Sequence, residues 1–184
     1  MDFVDTLGTE HRRIARVLSA LERTATGLTE GAPSEPHEFF RIVTFLRGFA
    51  DGYHHEREEQ VLLGALATFE YGKTSGVLEF IRQQHREERT LLSRVEVALA
   101  ARAPWSPDDV REIVESVRKF VTFEREHMAR ENELLYPSAK RAFEEHGTEE
   151  LDRRLDVYGR TRASAWSVSW LERLGDEIAS TAGV

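Results

Sequence analysis

An all-α fold follows from three features of the chain. Apolar residues recur at steps of three and four almost throughout. No stretch shows sustained period-two alternation. The Gly- and Pro-containing stretches fall between long periodic segments. The expected architecture is an antiparallel up-down four-helix bundle with additional C-terminal helices. The first helix should run from about Asp2 to Thr26, with Leu7, Ile14, Leu18 and Leu21 on one stripe, and GLTEGAPSEP breaks it. Pro36 suits a first-turn position, and a long helix follows through Phe39, Ile42, Phe45, Phe49, Leu62 and Leu66 towards Phe69. The third spans about Ser75 to Ala101, with Leu78, Ile81, Leu92, Val95 and Leu99 inward. Ser106 as N-cap and Pro107 at the first position open the fourth, which Pro137 should kink or end near Tyr136. Long helices with short connections give an antiparallel bundle, taken as residues 1–145. Residues 146–184 form a C-terminal helical extension packed on it, whose Trp166 and Trp170 bury against the bundle or a second subunit.

With 184 residues, the chain fits one core. Its 25 basic and 33 acidic residues give a net charge of −8, spread without a basic face, which argues against nucleic acid as a partner. No apolar run approaches the roughly 20 residues of a membrane span, and the first residues, MDFVDTLGTEHRR, carry no apolar signal segment. The expectation is a cytoplasmic protein. Zero cysteines exclude disulfides, zinc thiolates, iron–sulfur clusters and thiol nucleophiles together, so any metal must be held by His and carboxylate.

An internal repeat carries the chemistry. HEREEQVLLGALA from His55 matches HMARENELLYPSA from His127 at an offset of 72, both reading H-x-x-x-E-x-x-L-L. HRRIARVLSALE from His11 matches HREERTLLSRVE from His85 at an offset of 74. His11 and His85 interrupt apolar stripes, while His55 with Glu59 and His127 with Glu131 lie one helical turn apart on one face. A single such histidine is ordinarily a satisfied core or surface residue, but the four at corresponding positions are not independent. Inward carboxylates at one level of a bundle repel one another unless positive charge compensates. Four imidazoles and two carboxylates without thiolate suit iron or, less well, manganese, and facing helices are where bundles build dinuclear sites. His37, His54 and His146 do not fit this set and read as solvent-exposed or supporting residues. Glu88, one turn after His85, and Glu124, one turn before His127, are further inward acids, each an additional ligand, a proton donor at the site, or an edge residue paired with Arg. Gly48 and Gly52 share the stripe with His55, leaving either a small-molecule path or close helix packing.

His11, YHHEREEQVLL with His55 and Glu59, QQHREE with His85, and EHMARENELLYP with His127 and Glu131 together resemble the hemerythrin-like, or HHE cation-binding, family over about residues 7 to 140. The resemblance implies a four-helix bundle around two iron ions, oxo- or hydroxo-bridged and joined by carboxylates. Its reactants would be dioxygen, peroxide or nitric oxide. The chain departs from the oxygen-carrier pattern at Ile81, where a histidine would stand, and at Asn132, where the last carboxylate would stand. Its H, HxxxE, H, HxxxE pattern resembles the non-carrier branch. Two six-coordinate irons need about twelve ligand positions, of which these residues and a bridging oxygen fill about ten, and open positions favour turnover over reversible storage. The expected function is a peroxidase- or catalase-like diiron enzyme. The alternative is a protein that senses or stores iron, oxygen or nitric oxide without fast turnover, with the C-terminal helices as a homodimer surface.

Overall fold

The computed structural model describes residues 3–32, 36–69, 76–161 and 167–184. Six helices account for most of them. Helix α1 is Phe3–Thr29. Helix α2 opens as Pro36–Phe45 and continues unbroken through π-helical turns at Leu46–His55 and Glu58–Leu62 to a last α turn, Leu63–Leu66. Helix α3 is Val77–Leu99. Helix α4 opens as Pro107–Arg130, passes through a π turn at Glu131–Leu135 and ends as Tyr136–His146. Helices α5 (Glu149–Thr161) and α6 (Val168–Ala182) follow.

The α4 start is set locally: Ser106 Oγ accepts from the Asp109 backbone N–H while the Asp109 carboxylate accepts from that of Ser106, a capping box with Pro107 next to it. Of the two outcomes expected at Pro137, a kink or an end, the helix does not end there but runs ten residues past Tyr136 to His146. The π turn immediately before the proline already interrupts the regular ladder, so the absent N–H and the ring fall where the α pattern has been relaxed. Both C-terminal helices pack on the bundle. Leu171, Leu174 and Ile178 of α6 enter the same core as Ile14, Phe45 and Phe49, and Leu151 and Tyr158 of α5 pack with Leu62, Leu66 and Phe143. Trp170 is partly buried against the first of these cores; Trp166 lies outside the described residues.

The two apolar cores occupy opposite ends of the bundle, one around Leu18, Leu21, Phe45, Leu92, Val95 and Phe120, the other around Leu7, Leu62, Leu66, Ile81, Leu135 and Ala139. A buried polar layer separates them, made of Glu10, His11, His54, His55, Arg57, Glu58, Gln84, His85, Glu88, Glu124, His127 and Glu131. Charged side chains at this depth are rare unless paired or bound to metal. No helix among the described residues is long and apolar enough to cross a membrane.

Candidate metal centre

Each of the four main helices contributes to this layer. His11 comes from α1, His54, His55 and Glu58 from the π-helical part of α2, His85 and Glu88 from α3, and Glu124, His127 and Glu131 from α4, the last at the start of its π turn. A π turn inserts about one residue into the α pattern and so rotates everything downstream by about 100°. That rotation brings the adjacent His54 and His55 both inside, with ring centroids 5.3 Å apart. It also makes Glu58 the fully buried acid of α2, while Glu59 turns to the bundle edge with its side chain 28% exposed.

Of the sequence-predicted residues, His11, His55, His85, His127 and Glu131 meet in the layer and Glu59 does not. The corresponding acid is one position earlier, and its partner one turn before is His54, the residue read as exposed or supporting but buried completely. The segment HHEREE contains two overlapping HxxxE pairs, and matching the two Leu-Leu pairs of the repeat selected His55 and Glu59, whereas both members of the other pair, His54 and Glu58, are fully buried. Leu134 is 65% exposed whereas Leu62 is fully buried, so Leu62 corresponds to Leu135 and the structural offset is 73 rather than 72. His37 and His146 lie on the surface. Gly48 and Gly52 are split by the same register, Gly48 buried and Gly52 facing solvent.

Four histidines share one arrangement. His11 donates from Nδ1 to Asn132 Oδ1 at 3.1 Å, His54 to Glu10 Oε2 at 2.9 Å, His85 to Glu59 Oε1 at 2.9 Å and His127 to Gln84 Oε1 at 3.4 Å. Each partner is an acceptor, which fixes the tautomer and turns Nε2 inward, the way outer hydrogen bonds orient metal-bound imidazoles. Glu10 is in turn paired with Arg57, whose guanidinium lies 4.0 Å over the Tyr53 ring. Glu59 is held by Arg89 at 2.9 Å.

Against these four nitrogens stand two carboxylates. Glu131 Oε2 lies 3.2 Å from His11 Nε2, and its Oε1 lies 3.3 Å from His127 Nε2 and 3.5 Å from His85 Nε2. Glu58 Oε2 lies 3.4 Å from His85 Nε2 and 3.7 Å from His54 Nε2. Each carboxylate therefore reaches histidines on both sides of the layer. Ligand atoms at neighbouring corners of a metal with bonds near 2.1 Å are about 3 Å apart, close to these separations. All but one of the buried side-chain nitrogen and oxygen atoms lacking a hydrogen-bond partner among the described residues belong to the His and Glu of this layer. Two four-residue groups can each enclose an ion: His11, His54, Glu58 and Glu131, and His55, Glu58, His85 and His127. Tyr136 donates to Glu58 Oε1 at 2.6 Å and lies 3.1 Å from His11 Nε2.

A match to the model of the hemerythrin HHE cation-binding domain covers residues 2–139. The chain belongs to the hemerythrin HHE cation-binding family. Its relatives include "Uncharacterized protein Rv1995" of Mycobacterium tuberculosis (strain ATCC 25618 / H37Rv) and "Uncharacterized protein Mb2018" of Mycobacterium bovis, each 24% identical over 131 residues, or 71% of this chain and 51% of the relative. The chain thus spans about half the length of these relatives. The His and Glu of the layer in this hemerythrin-type domain have the chemistry to enclose a metal ion: imidazole and carboxylate, buried, inward and otherwise unpartnered.

The electrostatics of the layer divide its four completely buried carboxylates. Burial raises Glu58, but His54, His85 and His11 outweigh it and hold the group well below the usual carboxylate range. Burial and Glu58 raise Glu131, yet His127, His11 and His85 bring it down to about 2. Glu88 is pushed up to about 7 by burial, and Glu124 is raised well above the usual carboxylate range by burial and then by Glu88 and Glu131. Among the histidines, burial and then His85, His54 and His127 hold His55 well below its ordinary value. For His85, burial is outweighed by Glu131, Glu58 and Glu59, and it rises well above.

Proposed function

We propose that the layer is built to hold two non-haem iron ions, and that the protein is an oxidoreductase consuming peroxide. His11 and His54 would hold one ion and His85 and His127 the other, with His55 in reach of the second, while Glu58 and Glu131 would serve both. The observation that carries this reading is the set of four imidazoles anchored at Nδ1 and presenting Nε2 to the same two carboxylates. Iron bound there supplies reversible one-electron chemistry and Lewis acidity towards a small oxygen- or nitrogen-containing ligand.

The protein's own residues supply the setting. Complete burial of His54, His55, His85, Glu58 and Glu131 excludes bulk water and favours a reactant the size of peroxide or a diatomic gas. Tyr136 holds a proton on its phenolic oxygen, 2.6 Å from Glu58 Oε1. Burial and the neighbouring Glu58 and Glu131 hold its pKa well above the ordinary value, so it acts as a hydrogen-bond donor rather than a phenolate. Arg57 pairs with Glu10 and Arg89 with Glu59, so a guanidinium backs each of the carboxylates that accept from His54 and His85.

Iron content and peroxide decay in anaerobically loaded protein test the reading together. Two irons per chain with saturable peroxide consumption agree with it. Two irons without turnover move the protein to sensing or storage of iron, oxygen or nitric oxide, and an absence of bound iron removes both.

A further inference from the structure

Beyond the two bridged positions the layer contains a third group, His55, Glu88 and Glu124, drawn from α2, α3 and α4 and completely buried. It differs from the rest of the layer. His55 has no outer acceptor on Nδ1. That nitrogen lies 2.8 Å from Glu88 Oε2, its Nε2 lies 3.8 Å from Glu124 Oε1, and neither nitrogen has a hydrogen-bond partner. All four oxygens of Glu88 and Glu124 are likewise without one. A neutral acid pair sharing a proton would join its carboxyl groups by a short hydrogen bond, and no such bond links these two. Arg89, the nearest cation of α3, is turned outward to Asp51 at 2.6 Å and Glu59 at 2.9 Å, so it does not fill the gap either.

We infer that His55, Glu88 and Glu124 form a third cation site, beside the dinuclear pair, for a divalent first-row ion such as Fe2+ or Mn2+. One imidazole and two carboxylates form a harder, more oxygen-rich set than either half of the bridged pair, and that set suits Mn2+ and Fe2+ over softer ions. An ion there supplies positive charge to two buried carboxylates that no Lys or Arg among the described residues pairs with. The nearly parallel stacking of His55 on His85, with centroids 4.2 Å apart, sets the third site directly against the second iron position. The inference rests on the dinuclear reading in one respect, since it counts a cation beyond those two.

The test is metal stoichiometry after anaerobic loading of the full chain with Fe2+ and, separately, Mn2+, followed by desalting. The wild type, Glu88→Gln and Glu124→Gln are compared, and far-UV circular dichroism of each variant confirms the helical fold. The expected result is three ions per chain in the wild type and two in each variant. Two ions in all three proteins overturn the third site and leave the dinuclear centre standing. Two in the wild type and one in the variants also overturn it, making these acids ligands of the dinuclear pair. No bound ion in the wild type removes both readings.

Discussion

The two halves of the polar layer use the same side-chain types in different ways. Around Glu58 and Glu131, four imidazoles are each tied from behind, by Asn132, Glu10, Glu59 or Gln84. Around Glu88 and Glu124 the single imidazole, His55, is tied by nothing outside the cluster. The difference is electrostatic as well as geometric. The first pair of carboxylates is held ionised by surrounding histidines, while burial pushes the second pair towards the neutral acid. The lesson is that preorganisation follows the outer hydrogen bonds rather than the count of donors: the imidazoles of the first half are oriented from outside the cluster, and that of the second is not.

The sharpest way to break the comparison is to remove a residue of the first half. Glu58→Ala is expected to lower iron content to less than half of the wild-type value, whereas Glu59→Ala, which removes only the acceptor behind His85, is expected to lose less, measured by elemental analysis after identical loading. Equal losses would return the α2 ligand pair to the His55 and Glu59 register that the simple repeat suggests.

An intermediate effect is expected behind the ligands. Glu59→Gln keeps the volume but weakens the acceptor behind His85 Nδ1, and outer-partner changes of this kind typically cost about 10- to 100-fold in metal affinity. Competition titration with a chromogenic chelator reads it. An affinity within twofold of wild type would mean that the hydrogen bond does not orient His85.

Metal-free stability should separate the halves by sign. Replacing an uncompensated buried acid with a neutral isostere relieves its desolvation, so Glu124→Gln is expected to stabilise the metal-free protein by about 1–3 kcal/mol at pH 8 in denaturant titration. Glu131→Gln leaves His11, His85 and His127 without their carboxylate and is expected to destabilise it. Matching signs would dissolve the distinction.

The smallest effect is the pH slope. Glu88 is raised to about 7 from an ordinary 4.5, so the folded protein takes up its proton first as pH falls. Its contribution makes the metal-free protein more stable as pH drops from about 7 towards 4.5. Glu59, held at about 2, works the other way: its contribution is present above 4.5 and is lost as pH falls towards 2. Urea titrations between pH 3 and 8 should show the first slope vanish in Glu88→Gln and the second in Glu59→Gln.

The order of the helices, their inward stripes and the capping of α4 by Ser106 were legible because they depend on spacing and local chemistry that α geometry translates directly. His85 and Glu88 on the regular α3 were legible for the same reason. The α2 contribution was not, because three residues per turn or four cannot describe a helix that passes through two π segments. His54 and Glu58 were present in the sequence as the second of two overlapping HxxxE pairs. The signal that separates the pairs is the burial of Leu62 and Leu63 together against the single buried Leu135, which becomes visible only in the packed bundle. Asn132, noted in the sequence as a missing carboxylate, supports His11 instead. The passage of α4 through Pro137 has the same cause as the α2 shift, a π turn that no residue preference announces.

The most direct measurement is iron per chain in anaerobically loaded wild type beside His54→Ala, with the metal–metal separation read by X-ray absorption. The account predicts a short iron–iron vector in the wild type and its loss, with falling iron content, in His54→Ala. A wild type without an iron–iron vector, or a His54→Ala variant that retains both iron and vector, would contradict the bridged centre built on His11, His54, Glu58, His85, His127 and Glu131.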